Sequence, residues 1–278
     1  MIKDSDLKKA TDYSEGMVDA AYCILGEIVN ILNQYEDDMR IVGGWVPYLL
    51  FPNKDHIGSI DVDVLLNQND IEKSESYENI KRILIRNGYR KHPDKYFTFV
   101  KTVIIDDVEY DVDVDLLSGK YGGDGGRISK HIDGIKALPA TGGNFAFEFP
   151  PQKIKINYTR PDGALDSGHV QVVSIIPYIV MKVAALGRGK PKDAYDIYYC
   201  IDNYEGGIRS LLEEMLPYKN KELIKNTCEK LSEKFASPEH SGPIDIVNFI
   251  GIWDEEESEQ IRQDAYQKIK FLVDGLNQ

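Results

Sequence analysis

Ile41-Val42-Gly43-Gly44-Trp45-Val46-Pro47-Tyr48-Leu49-Leu50, followed across a polar loop by Ser59-Ile60-Asp61-Val62-Asp63-Val64-Leu65-Leu66, reads as strand, tight turn, short helix and second strand. Glycine permits the tight turn and lets backbone N–H groups come close to a ligand. Those N–H groups, together with the positive end of the helix, favour an anion. Residues two apart in a strand share a face. Asp61 and Asp63 therefore point one way, and Ile60, Val62 and Val64 point into a core. Two carboxylates so close repel unless a cation or proton lies between them. Oxygen ligands of this kind suit Mg²⁺, which typically binds one or two carboxylates plus phosphate oxygens. Taken singly, a Gly-Gly pair is a turn and an Asp-x-Asp is the wet side of a strand. In this order they outline a triphosphate turn beside a metal pair.

The flanking sequence extends the pattern. Residues 14–36 carry Val18, Ala21, Leu25, Ile28, Val29 and Leu32 at helical spacing. Residues 76–87 read as a helix stopped at Asn87-Gly88. Phe97 to Ile105 and Glu109 to Leu117, joined at Asp106-Asp107, read as a hairpin. Its second strand, Tyr110-Asp111-Val112-Asp113-Val114-Asp115-Leu116-Leu117, places three acids on one face and Tyr110, Val112, Val114 and Leu116 on the other. Three like charges along one face repel. A metal shared with Asp61 and Asp63 would relieve that repulsion. Asp115 or Asp113 is accordingly the third carboxylate, as metal ligand or as general base on an acceptor hydroxyl. Asp115 is favoured because Leu116-Leu117-Ser118-Gly119 marks the strand end.

Residues 119–145, with Gly122-Gly123-Asp124-Gly125-Gly126, match no phosphate-loop spacing and read as an irregular connection. From Ser174 onward helix signals dominate. The chain thus divides into an α/β domain, residues 1–165, with a mixed sheet flanked by helices, and a helical domain, residues 166–278. In the latter, Ile175 to Leu186 is apolar nearly all round, with Lys182 its single charge. Such a helix is buried, and its lysine either reaches water or meets an anion. Beyond it come Arg188, Lys190, Lys192, Asp193 and Asp196. Lys192 is read as a phosphate contact, with Asp193 and Asp196 orienting the basic side chains. Residues 207–235 and 256–277 are amphipathic helices without a catalytic constellation.

Composition sets outer bounds. The 278 residues are 42% hydrophobic and 28% charged, with a formal net charge of −13. That balance belongs to a soluble globular protein and excludes broad nucleic-acid binding, which needs a basic footprint. It leaves room for a local basic groove, for which Lys153, Lys155 and Arg160 are one candidate stretch and Lys182, Arg188, Lys190 and Lys192 another. No apolar run is long enough to cross a membrane, and Met1 to Asp6 lacks a signal-peptide core. Cys23, Cys200 and Cys228 read as thiols of a reducing cytoplasm.

Gly43-Gly44, Asp61-x-Asp63 and the Asp113/Asp115 strand resemble the polymerase-β-like nucleotidyltransferase superfamily. Met181-Lys182-Val183-Ala184-Ala185-Leu186, then Arg188, then Lys192-Asp193-Ala194-Tyr195-Asp196, is similar to its AbiE-like (type IV) toxin–antitoxin subgroup. Lysine stands at Lys192 where that subgroup carries arginine, so the charge is kept and the bidentate fork is lost. The resemblance implies transfer of a nucleoside monophosphate from an NTP, dependent on Mg²⁺ or Mn²⁺, with release of pyrophosphate. It implies metal on Asp61, Asp63 and Asp115, and nucleotide on Gly43, Gly44, Ser59, Lys182, Lys192 and Asp196. The implied acceptor is RNA, a tRNA end, and the implied partner is an antitoxin. A small-molecule adenylyltransferase of the aminoglycoside-modifying kind and a non-catalytic nucleotide-binding protein are the alternatives.

Overall fold

The structure is a computed structural model. It describes residues 7–52, 54–67, 79–120, 130–132 and 135–278. The hexapeptide Met1 to Asp6 and the run Gly122 to Gly126 lie outside the described residues, as do positions 76–78 of the helix expected over 76–87.

The chain is mixed α/β and forms two compact units. One is Tyr13–Pro177. The other joins the described part of Ile2–Asp12 to Tyr178–Gln278. The division therefore falls after Pro177, not near residue 165. The reason is a pair of strands the sequence reading did not find. They are β8 (Gln152–Thr159) and β9 (Leu165–Val172), which pair with each other and, through β9, with the first strand of the sheet.

In the first unit the elements in chain order are α1 (Glu15–Ile31), β1 (Met39–Val42), α2 (Trp45–Leu50), β2 (Asp61–Leu66), α3 (Ile80–Arg86), β3 (Arg90–Lys91), β4 (Thr98–Ile105), β5 (Val108–Lys120), β6 (Lys130–Ile132), β7 (Ile135–Thr141) and α4 (Gly143–Ala146), then β8 and β9. Among the described residues the strands form one mixed sheet with the main path β3-β4-β5-β2-β1-β9-β8, and β7 joins β5 and β6. β1 runs antiparallel to β2, and β2 runs parallel to β5. The span expected to be irregular, 119–145, thus contains β6, β7 and α4. Parallel pairing of Leu117 to Lys120 with Leu138 to Thr141 supplies the order that its composition did not announce.

Helix α1 starts on Ser14, whose side chain accepts from the Met17 N–H. It covers the sheet face that carries Tyr110 and Lys101. Glu27 accepts from Lys101 at 2.6 Å and from the Tyr89 hydroxyl at 2.6 Å. Gly26 sits so close to the Tyr158 ring that a Cβ there would lie 2.2 Å from it. Behind the acids, Val62, Val64, Val112, Val114 and Leu116 are fully buried. By the strand alternation, Asp61, Asp63, Asp113 and Asp115 lie on the opposite face from α1.

In the second unit α5 (Ile175–Ala185, which begins in the first unit) leads to α6 (Pro191–Asp202), α7 (Gly207–Met215), α8 (Glu222–Lys234), α9 (Ser241–Ile250) and α10 (Glu255–Asn277). Pro191 occupies the first turn of α6, where its missing N–H costs nothing. The amphipathic span 207–235 is two helices, separated at Leu216–Tyr218. All three cysteines are free and buried. Among the described residues no helix is long and apolar enough to cross a membrane.

Candidate active site

Sheet register brings the acids together. Asp61 pairs with Asp113 and Asp63 with Asp115 across the parallel β2–β5 ladder. Adjacent strands lie about 4.8 Å apart, so four carboxylates form a two-by-two array on one face. The glycine turn borders it. Val42 is the partner of Asp63 in the β1–β2 ladder, and Gly43 follows at φ +71°. A Cβ on Gly43 would lie 1.8 Å from Asp63 Oδ2, so both the backbone conformation and the space demand glycine. Gly44 caps α2 in the right-handed region. The Trp45 indole N–H donates to the Asp61 carbonyl at 2.7 Å and ties the helix start to the strand start.

Asp61, Asp113 and Asp115 have donors from the protein. The buried Ser59 hydroxyl donates to Asp61 Oδ1 at 2.6 Å, and the buried Thr98 hydroxyl to Asp115 Oδ1 at 2.6 Å. Lys95 Nζ meets Asp113 Oδ2 at 2.7 Å. Asp111, further out, takes Arg90 at 2.7 Å and the Thr102 hydroxyl at 2.6 Å. These contacts meet part of the repulsion that the sequence reading assigned to a metal. They do not meet all of it. Burial pushes the Asp115 carboxyl up to about 7, and the charges of Asp61 and Asp113 add to the effect, against the Thr98 bond and the Lys95 charge. Lys95 is raised: burial opposes its charge, but the Asp113 bond and the charges of Asp113, Asp115 and Asp61 prevail.

Among the described residues, no three His, Cys, Asp or Glu side chains are gathered as a metal site needs. The donor set nonetheless fits a hard cation. It is all carboxylate, it shares one face, and the hydrogen bonds from Ser59 and Thr98 engage one oxygen each of Asp61 and Asp115.

Lys182, Lys192 and Asp196 belong to the second unit. Lys182 Nζ lies 2.8 Å from Asp193 Oδ1 and 2.9 Å from Asp196 Oδ2. Lys192 Nζ lies 2.9 Å from Asp196 Oδ1, and Arg188 reaches Asp193 Oδ2 at 3.1 Å. The anions these lysines meet in the structure are protein carboxylates. Asp193 stays below the usual carboxylate range: burial opposes this, but the Lys182 and Arg188 charges outweigh it. Of the candidate basic groove, Lys153 pairs with Glu36 at 2.7 Å and Arg160 with Asp162 at 2.6 Å.

Sequence reading missed Lys95 and Thr98. Thr98 was within reach: a two-residue turn at Asp106-Asp107 sets Ile105 against Val108 and, counted back along both strands, Thr98 against Asp115. Lys95 lies in the loop before β4, where no periodicity points to a partner.

No family model matches the chain, and no curated protein matches it. Among solved structures it is similar to the crystal structure of JHP933 from Helicobacter pylori, at 13% identity and a TM-score of 0.44, over 95% of this chain and 94% of that one. A likeness that distant adds nothing to the reading of the site.

Proposed function

We propose that this protein is a divalent-metal-dependent nucleotidyltransferase, moving a nucleoside monophosphate from an NTP to an acceptor hydroxyl and releasing pyrophosphate. The observation that carries the reading is the register: Asp61 and Asp63 opposite Asp113 and Asp115, with Gly43 against Asp63. Asp61, Asp63 and Asp115 would hold Mg²⁺ or Mn²⁺, which when bound neutralises and orients phosphate oxygens. Gly43, Gly44 and Ser59 border the acids and are assigned to the triphosphate. In the reaction the acceptor oxygen bonds to the α-phosphorus and the α–β bridging bond breaks. The hydroxyl proton would pass to Asp115, the third carboxylate of the array, as general base. Lys182 and Lys192 are neutralised by Asp193 and Asp196, so the reading stands on the first unit alone.

The acceptor favoured is RNA, a tRNA end, with an antitoxin as partner. Both follow from the resemblance of the Met181 to Asp196 segment to toxin–antitoxin nucleotidyltransferases. A small-molecule acceptor uses the same chemistry. A non-catalytic nucleotide-binding protein is the second reading, and the observation favouring it is that no three acids are gathered for metal among the described residues.

The test incubates the protein with each labelled NTP and Mg²⁺ or Mn²⁺, together with total RNA and a panel of aminoglycosides. Metal-dependent labelling by the wild type, lost in Asp63→Asn, is expected. NTP binding without labelling of any acceptor selects the non-catalytic reading. Absence of NTP binding ends both.

A further inference from the structure

Lys95 is the one charged group among the three donors that hold Asp61, Asp113 and Asp115; Ser59 and Thr98 are neutral. Its ammonium bonds Asp113 at 2.7 Å, and Asp113 stands opposite Asp61 and two residues from Asp115. We propose that Lys95 is a tethered counter-cation that neutralises the carboxylate array in the metal-free protein and is displaced when a divalent cation enters. It thereby sets the metal concentration at which the site fills. The proposal rests on the reading of these acids as metal ligands.

Three features support it. An ammonium and a divalent cation repel each other, so one array does not hold both at full strength. The Lys95 side chain is 42% exposed, so it leaves for water at small cost. Its loop is also built to present it: the His92 ring Nδ1 accepts from the N–H groups of Asp94 and Lys95 at 3.0 and 3.1 Å.

Mn²⁺ binding to the full chain, read from the electron paramagnetic resonance of the free ion without nucleotide, tests the proposal in wild type, Lys95→Met, Lys95→Arg and Asp63→Asn. Lys95→Met is expected to bind Mn²⁺ about fivefold more tightly, the scale of one partly exposed ion pair, and Lys95→Arg to stay near the wild type. Equal or weaker binding by Lys95→Met, with binding abolished by Asp63→Asn, overturns the Lys95 role and leaves the metal reading standing. Absence of Mn²⁺ binding in both wild type and Lys95→Met overturns the two together. Should Lys95→Met lose its fold by circular dichroism, Lys95→Gln carries the same comparison.

Discussion

Asp115 departs from ordinary carboxylate behaviour because burial and the neighbouring acids both penalise its charge. The consequence for stability has a definite sign. Its folded pKa, about 7, exceeds the ordinary aspartate value of 3.8. The folded state therefore holds a proton that the unfolded chain has released, and stability falls as pH rises between those two values. The contribution is complete below 3.8 and gone above about 7. Asp115→Asn keeps an oxygen for the Thr98 hydroxyl and removes the titration. In chelator, the melting temperature of the wild type is expected to fall relative to Asp115→Asn between about pH 4 and pH 7. Added Mg²⁺ should stabilise the wild type more at the upper end, since metal binds the ionised carboxylate. Identical pH profiles for the two proteins would remove Asp115 as the buried acid of the array.

At the scale of elements, the β4–β5 hairpin is the best case of a structure written locally. Asp106 and Asp107 both take positive φ, 50° and 63°, as a two-residue type I′ turn requires. Aspartate tolerates that region at a cost that glycine avoids. Asp107→Gly is expected to stabilise the protein by roughly 0.5 kcal/mol, the left-handed penalty less glycine's larger chain entropy. Chemical denaturation measures it, and a loss of stability would contradict the turn assignment. The same locality made β1, the Gly43-Gly44 turn, α2 and β2 legible, since each is a few residues of unbroken pattern. β9 was not legible: Gly168, with Asp166, Ser167 and His169, interrupts its apolar alternation, and its neighbour β1 is far away in the chain. The acids of the candidate site were legible as faces of single strands. Which faces meet was not in the pattern, because the β2–β5 ladder is a parallel pairing between distant segments. Lys95 was invisible because it lies in the loop before β4, outside any periodic pattern.

For the whole molecule, each unit pairs its site lysines, Lys95 in the first and Lys182 and Lys192 in the second, with its own carboxylates, although the chain as a whole carries −13. The second unit does so inside its core. Lys182, Lys192, Asp193 and Asp196 are all at least nine-tenths buried, and Asp196 is fully so. A lysine at Lys182 in an otherwise apolar helix needed an anion, and Asp193 and Asp196 of α6 supply two. Buried ion pairs of this kind add little net stability over an apolar packing, but breaking one is costly because a charge is left without a partner. Asp196→Ala removes the carboxylate that Lys192 bonds and one of the two that Lys182 bonds, and is expected to cost about 3–5 kcal/mol. Because both lysines lie in the second unit, amide exchange should accelerate within Tyr178–Gln278 while the strands of Tyr13–Pro177 keep their protection. Replacing Lys192 and Asp196 together by Met and Leu should recover much of the loss, since a matched apolar pair carries no uncompensated charge. Unchanged exchange in Asp196→Ala would mean that the cluster does not hold α5 to α6. It would also free the two lysines to be considered again as phosphate ligands.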